Sequence, residues 1–467
     1  MKGGENESSA ADQSDQDWSG SDAEDDSSPT CEEGRNAYRP GGYHPVRIGE
    51  VYNNRYEIQR KLGWGHFSTV WLAIDSASPK RKRVALKVQK SASHYTEAAL
   101  DEIEMLKRIG SGSPFVVQLL DHFYTIGPNG KHMCMVFELL GDNLLTLIKA
   151  YDHKGIPPMT VRRICRDLLL GLDYLHTKAS IIHTDIKPEN VLLPYADKPK
   201  PKRNRQSATA PLSKSGKKRL RKKRNRQAKA AAAASSSSAP EEGPSAQPVS
   251  NEQADEATSQ LKAEAVVETC SDQSIFEEGL SSADSEPPNF VAKLADLGNA
   301  CWTFKHFTDD ITTRQYRSPE AIVNAPYSTP VDIWATAALA FELLTGDYLF
   351  DPKTDDRKRY SRDEDHLALM TELLGPFPKC IIQDGALSKE FFNRKGELRN
   401  IRELEYWPLH NVLVDKYGFP EEDSAMISSF LTPMLEMDPR RRATAAQCLR
   451  HPWMDLGDHQ GEITNSQ

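Results

Sequence analysis

The chain has 467 residues, 38% of them hydrophobic and 27% charged, with a formal net charge of −8. A mean hydropathy of −0.61 is too polar for one compact globule and predicts a folded core carrying solvated segments. No apolar run approaches the roughly 18–20 residues of a membrane span, and the acidic N-terminus lacks the apolar core of a secretory signal. Seven scattered cysteines without a Cys-x-x-Cys indicate neither a zinc site nor a disulfide framework, so a reducing intracellular setting is expected.

Residues 1–35 hold eleven carboxylates against Lys2 and Arg35, a net of −9. With no apolar face to bury, this stretch reads as a disordered acidic tail. An N-terminal extension, 36–55, follows. Residues 56–140 alternate short apolar runs with turn residues. Strands are predicted at 56–58, 69–73, 84–88 and 133–137, with one helix over 98–109. Helical spacing returns at 161–176 and 330–346. A β-rich lobe, 56–140, therefore precedes an α-rich lobe in two parts, 141–194 and 290–453, with a short tail at 454–467. Between those parts lies a polar spacer, 195–289. Its segment 198–229 carries fifteen Lys/Arg and no Asp/Glu, ahead of an alanine run and a serine run. Such low complexity cannot offset the ordering entropy of a core.

Chemistry-bearing motifs follow in the same order. Leu62, Gly63, Trp64, Gly65, His66, Phe67, Ser68, Thr69 and Val70 form a glycine-containing loop. Gly63 and Gly65 are expected to make a tight turn that brings backbone N–H groups to phosphates, and the Ser68 hydroxyl can donate as well. Lys87 stands inside the apolar strand 84–88 and needs a partner. Glu102 on the following helix is the partner expected, and the pair would aim the ammonium at nucleotide phosphates. Residues 181–193 then place His183, Asp185, Lys187 and Asn190 between apolar runs, in the spacing His-x-Asp-x-Lys-x-x-Asn. Asp185 can orient or accept a hydroxyl proton, Lys187 can neutralise a transferred phosphoryl group, and the Asn190 amide oxygen can ligate Mg2+. Asp296, ending an apolar strand just before Gly298, fits the main metal ligand. Glu320, closing the stretch 313–320, is offered a partner in Arg442, a pair that would brace the larger lobe; a mere surface pair would be worth only about 0–1 kcal/mol. The stretch 347–372 is rich in acids, though basic residues lie among them.

These motifs, in this order over 56–194 and 290–453, resemble the eukaryotic protein kinases. The closer likeness is to the SR-protein-specific kinases. It rests on His183-Thr-Asp185-Ile-Lys-Pro-Glu-Asn190, Asp296-Leu-Gly298-Asn-Ala-Cys-Trp302, Thr313-Arg-Gln-Tyr-Arg317, Arg362-Asp-Glu-Asp-His366 and the long spacer. The resemblance implies an α+β, bilobal kinase fold with ATP and Mg2+ as cofactors. It adds Glu138 and Leu140 to the nucleotide site. It also implies an acidic groove at Asp347, Asp365, Glu372 and Lys416 that docks arginine-rich peptides, with serine in Arg-Ser dipeptides as the acceptor. Carboxylates in a groove favour bidentate guanidinium pairing and steer basic chains.

Three departures from the general kinase pattern are informative, one of them the long spacer between Asn190 and Asp296, whose excess is expected to loop out from the large lobe. Thr184 stands where many kinases carry an arginine that reads an activation-loop phosphate, so no such phosphorylation is expected to be needed. Leu297 replaces the usual Phe of Asp-Phe-Gly and can still pack. The expected function is phosphorylation of Arg/Ser-rich splicing factors, regulating mRNA splicing, by a monomer that neither enters membranes nor binds nucleic acid directly. A cytoplasmic and nuclear location is expected, with the basic run 217–226 read first as an import signal; an occupant of the acidic groove and a solvated linker stay open, and an RNA contact is weakened because the run lacks the interleaved aromatics of base-stacking binders. Two alternatives stay open: a Clk-like dual-specificity kinase, whose lysine-rich signature is not seen, and a kinase-fold RNA-associated scaffold.

Overall fold

Strand-forming residues dominate the first part of the described chain, and they build one antiparallel sheet. The structure, a computed structural model, describes residues 33–195, 290–355, 357 and 359–456. The expectations for the acidic tail, the spacer and the C-terminal tail fall almost entirely outside those residues.

The sheet comprises β1 (Val51–Tyr52), β2 (Tyr56–Gly65), β3 (Ser68–Asp75), β4 (Arg83–Gln89), β5 (Leu119–Gly127) and β6 (Gly130–Glu138), in the order β1-β2-β3-β4-β6-β5. Alternation splits its side chains between two faces. Val84, Leu86 and Val88 of β4 join Cys134 and Val136 of β6, with Tyr56, Ile58 and Trp71, in an outer cluster. Met133, Met135 and Phe137 of β6 point the other way, into the main core. The helix α1 (Ser93–Ile109) packs there through Ile103, Met105 and Leu106. The two lobes therefore share a core through α1 and the inner face of the sheet. β1 begins at Val51, so the sheet reaches back into the expected N-terminal extension.

Helices dominate the second lobe: α2 (Leu144–Ala150), α3 (Pro158–Tyr174), α4 (Pro330–Thr345), α5 (Arg362–Leu374) and α6 (Glu421–Leu431). α4 is buried along its whole length from Val331 to Thr345, which its nearly continuous apolar sequence requires. It stops at Gly346, whose left-handed backbone (φ 84°) closes the helix on the Glu342 carbonyl. A Cβ there would lie 2.0 Å from the His153 carbonyl oxygen. Among the described residues no helix is long and apolar enough to cross a membrane.

Small strands align the loops between the lobes. β7 (Leu140–Asn143), β9 (Val191–Pro194) and β10 (Lys293–Leu294) form one sheet. β8 (Ile181–Ile182) pairs with β11 (Cys301–Trp302). β9 and β10 pair antiparallel, Leu192 opposite Lys293. Residues 195 and 290, the described residues that border 196–289, thus lie toward one end of a short hairpin, while Asn190 and Ala295 meet at the other, the Ala295 N–H donating to the Asn190 carbonyl at 2.9 Å.

Candidate active site

Three elements meet at Lys87. It sits on β4 directly opposite Val70 of β3, so the glycine-containing hairpin lies beside it. Its ammonium is 2.9 and 3.0 Å from the two carboxylate oxygens of Glu102 on α1, and 3.0 Å from Asp296 Oδ1. Burial opposes the charge on Lys87, but Asp296 and Glu102 outweigh it and hold the pKa above the ordinary lysine value. Lys87 in turn is the main cause that lowers the Asp296 pKa. Asp296 takes a left-handed backbone (φ 59°) just past β10, an uncommon conformation for an aspartate that lifts its carboxylate into the cleft. Its side chain is nearly half exposed. A Cβ on Gly298 would lie 3.3 Å from Asp296 Oδ1.

The loop that bears Asp185 is held from below by one carboxylate. Asp332, on the first turn of α4, is fully buried. It accepts from the backbone N–H groups of His183 and Thr184, each at 2.8 Å, and pairs with His176 Nε2 at 2.8 Å. Thr184 again has a left-handed backbone (φ 63°), and its hydroxyl donates to the Asn299 carbonyl at 2.7 Å. His183 spans Ala295 O (3.1 Å) and the Asp185 N–H (3.3 Å), which fits a proton on Nε2. Above this floor the Asp185 carboxylate collects four groups. Thr313 donates to Oδ1 at 2.9 Å. Asn190 and Asn299 donate to Oδ2 at 3.1 and 3.3 Å, and Lys187 Nζ lies 3.1 Å from Oδ2. Lys187 also donates to the Thr313 hydroxyl at 3.1 Å.

Asp185, Lys187 and Asn190 therefore converge as expected, and Lys87, Glu102 and Asp296 converge beside them. Sequence reasoning missed Asp332, Thr313 as a ligand of Asp185, and Asn299. Asp332 carried a signal: a carboxylate in the apolar run Pro330-Val-Asp-Ile-Trp cannot stay buried without donors. Thr313 and Asn299 lay within quoted motifs, but nothing local assigned them to Asp185.

The hairpin corrects one expectation. Gly63 and Gly65 are not the turn; both lie in β2, paired with Val70 and Ser68, and the turn is His66–Phe67. β2 has register irregularities between Ile58 and Arg60 and between Lys61 and Gly63. Leu62 and Trp64 flank Gly63 on β2, half-buried. The Ser68 side chain is buried, and Thr69 accepts from Trp71 Nε1 at 3.0 Å, so the Thr69 hydroxyl serves the sheet. Glu138 ends β6 and Leu140 opens β7, where the chain passes between the lobes. The Glu138 carboxylate is taken by Lys293, at 2.7 and 2.8 Å.

At the rim of the large lobe Asp347 and Lys416 come together at 3.4 Å, both about half exposed, with the Tyr417 hydroxyl between them. Asp365 and Glu372 both lie on α5. Asp365 Oδ2 accepts from the Lys353 N–H at 2.7 Å, and Glu372 Oε1 from the Glu405 N–H at 3.2 Å. Glu320 and Arg442 do pair, with bonds of 2.7 and 2.9 Å. Both side chains are fully buried, which fits a pair that braces the larger lobe and not a surface pair. The Trp334 ring and the carbonyls of Glu436 and Pro330 complete the Arg442 environment.

Asp296 and Asn190 offer oxygen donors suited to a hard divalent cation. The Asn190 amide nitrogen is spent on Asp185, which leaves its oxygen as the acceptor for a metal.

A protein kinase domain model matches residues 56–201 and 282–454. The chain is 46% identical to the serine/threonine-protein kinase SRPK of Physarum polycephalum, over 91% of both chains. It is 42% identical to the protein kinase dsk1 of Schizosaccharomyces pombe, over 91% of this chain and 85% of that one. It is 42% identical to the human SRSF protein kinase 3, over 90% of this chain and 89% of that one.

Proposed function

Because this chain belongs to the protein kinase family, and within it to the SR-protein-specific serine/threonine kinases, we propose that it transfers the ATP γ-phosphoryl group to serines of Arg/Ser-rich splicing proteins. The observation that carries this reading is the convergence on Asp185 of Lys187, Thr313 and Asn190, beside the Lys87–Glu102–Asp296 cluster.

In this reading Asp185 receives the acceptor serine hydroxyl and takes its proton as the serine oxygen bonds to the γ-phosphorus and the bond to the leaving ADP oxygen breaks. Lys187 offsets charge on the phosphoryl oxygens, and Lys87 holds the ATP phosphates. Asn190 and Asp296 would hold Mg2+, which neutralises phosphate charge when bound. Glu102 keeps Lys87 charged and aimed, and Asp332 fixes the loop that carries Asp185.

Activation-loop phosphorylation is not needed in this account. Hydrogen bonds that need no phosphate already tie the segment after Asp296 to the loop bearing Asp185, through Thr184 to Asn299 and Thr313 to Asp185. Asp347, Asp365 and Glu372 at the rim would recognise arginines, with Lys416 limiting the charge at Asp347. The run 217–226 is read as a nuclear-import signal in a protein shared between cytoplasm and nucleus; a distribution unchanged on its deletion would refute that.

The test compares phosphorylation of Arg-Ser, Lys-Ser and acidic serine peptides by phosphatase-treated enzyme. Arg-Ser peptides should be preferred by ~10-fold or more over Lys-Ser, because guanidinium pairs bidentately and ammonium does not. Equal rates on all three would refute docking, and loss of activity on phosphatase treatment would refute the activation argument.

A further inference from the structure

The kinase match begins at residue 56, yet residues 37–46, ahead of it, form a strap across the small lobe. The strap folds on itself: Gly42 N–H donates to the Arg39 carbonyl at 2.8 Å and Tyr43 N–H to the Ala37 carbonyl at 3.0 Å. It then bridges two parts of the lobe. Asn129, in the β5–β6 turn, accepts from Gly41 N–H at 3.1 Å and donates through its side chain to the Tyr43 carbonyl at 2.6 Å. Ser91 and Ala92, just before α1, donate to the Gly42 and Gly41 carbonyls at 3.2 and 3.0 Å. The His44 ring lies where a Cβ on residue 127 would stand, so Gly127 admits it.

From this platform Tyr43 reaches the nucleotide hairpin. The tyrosine is 3% exposed, and its hydroxyl donates to the Gly65 carbonyl at 2.7 Å. Gly65 is the last residue of β2 before the His66–Phe67 turn. The ammonium of Lys90 lies over the Tyr43 ring, 4.6 Å from its centroid, and 5.3 Å from that of Tyr95 on α1. The Lys90 N–H donates to the Phe67 carbonyl at 2.9 Å. The Phe67 ring meets Tyr95 nearly edge-on at 5.7 Å. Both sides of the hairpin tip are thus tied, Gly65 to the strap and Phe67 to the segment leading into α1. That same helix carries Glu102, the partner of Lys87.

We propose that Tyr43 is a positioning residue. Its hydroxyl fixes the hairpin against the start of α1, at the height where its backbone holds nucleotide phosphates, so a segment outside the kinase match sets ATP affinity. The inference rests on the kinase reading for the identity of the nucleotide. Tyr43 touches no reacting atom and acts only through the Gly65 carbonyl.

Tyr43→Phe in the full chain removes the hydroxyl and keeps the ring under Lys90. The matched control is Tyr52→Phe, which removes a buried hydroxyl bonded to Glu50 at 3.0 Å and away from the hairpin. ATP KM with an Arg-Ser peptide should rise ~3- to 10-fold in Tyr43→Phe, the range one neutral hydrogen bond supplies. The value of kcat should stay within about twofold, peptide KM should hold, and Tyr52→Phe should behave as wild type. The ATP Kd, titrated calorimetrically, should rise in step. An unchanged ATP KM and Kd, an equal rise in Tyr52→Phe, or a fall in Tm with kcat and KM moving together would each overturn the inference. Failure of the wild type to phosphorylate the peptide would instead refute the kinase reading, and the Kd comparison would still decide the role of Tyr43.

Discussion

Glu320–Arg442 and Asp347–Lys416 use the same chemistry in two regions of the large lobe. The first pair is fully buried, bidentate, and backed by carbonyls and an indole ring. The second sits at the rim, 3.4 Å apart and about half exposed. The difference is dielectric. A buried charge cannot be left alone, so the interior pair is structural; a solvated pair can exchange partners cheaply, so the rim suits a charged substrate. The loop that bears Asp185 follows the interior rule, with Asp332 satisfied by two backbone N–H groups and His176.

Truncating one cation in each region separates the two pairs. Arg442→Ala should destabilise the protein by about 3–5 kcal/mol, because it strands the Glu320 carboxylate. Lys416→Ala should change stability by no more than about 1 kcal/mol. Urea unfolding measures both, and equal effects would remove the distinction.

A smaller effect concerns Glu342, a buried carboxyl on α4 that accepts from the Tyr316 hydroxyl at 2.6 Å. Burial pushes its pKa up to about 7. The folded state therefore favours the protonated form more than the unfolded chain does. That contribution is fully present below the ordinary glutamate value and is lost as pH rises through about 7. Glu342→Gln, neutral at every pH, should flatten the decline in stability between pH 5 and pH 8 by roughly 1–3 kcal/mol. An identical pH profile in the variant would contradict the raised pKa.

Local motifs were legible in the sequence because their geometry is local. Asp185, Lys187 and Asn190 lie within six residues, and Lys87 in its apolar strand required a carboxylate. What acts across the chain was less legible. Thr313 reaches Asp185 only after the fold closes, and no nearby residue signals that Tyr43 meets Gly65. β5 was missed because it lies at the sheet edge with no fully buried residue, so its alternation is weak. The bracing pair Glu320–Arg442 is legible from its motifs, but its depth is not, since burial depends on Trp334 and on elements far away in sequence.

In the proposed function Asp185, gathered with Lys187, Thr313 and Asn190, carries phosphoryl transfer to an Arg-Ser serine. The direct measurement is kcat on an Arg-Ser peptide together with ATP Kd, for wild type and Asp185→Ala. The account predicts a loss of kcat of ~10^3-fold or more with ATP Kd within about threefold. A variant that phosphorylates the peptide at the wild-type rate would contradict it.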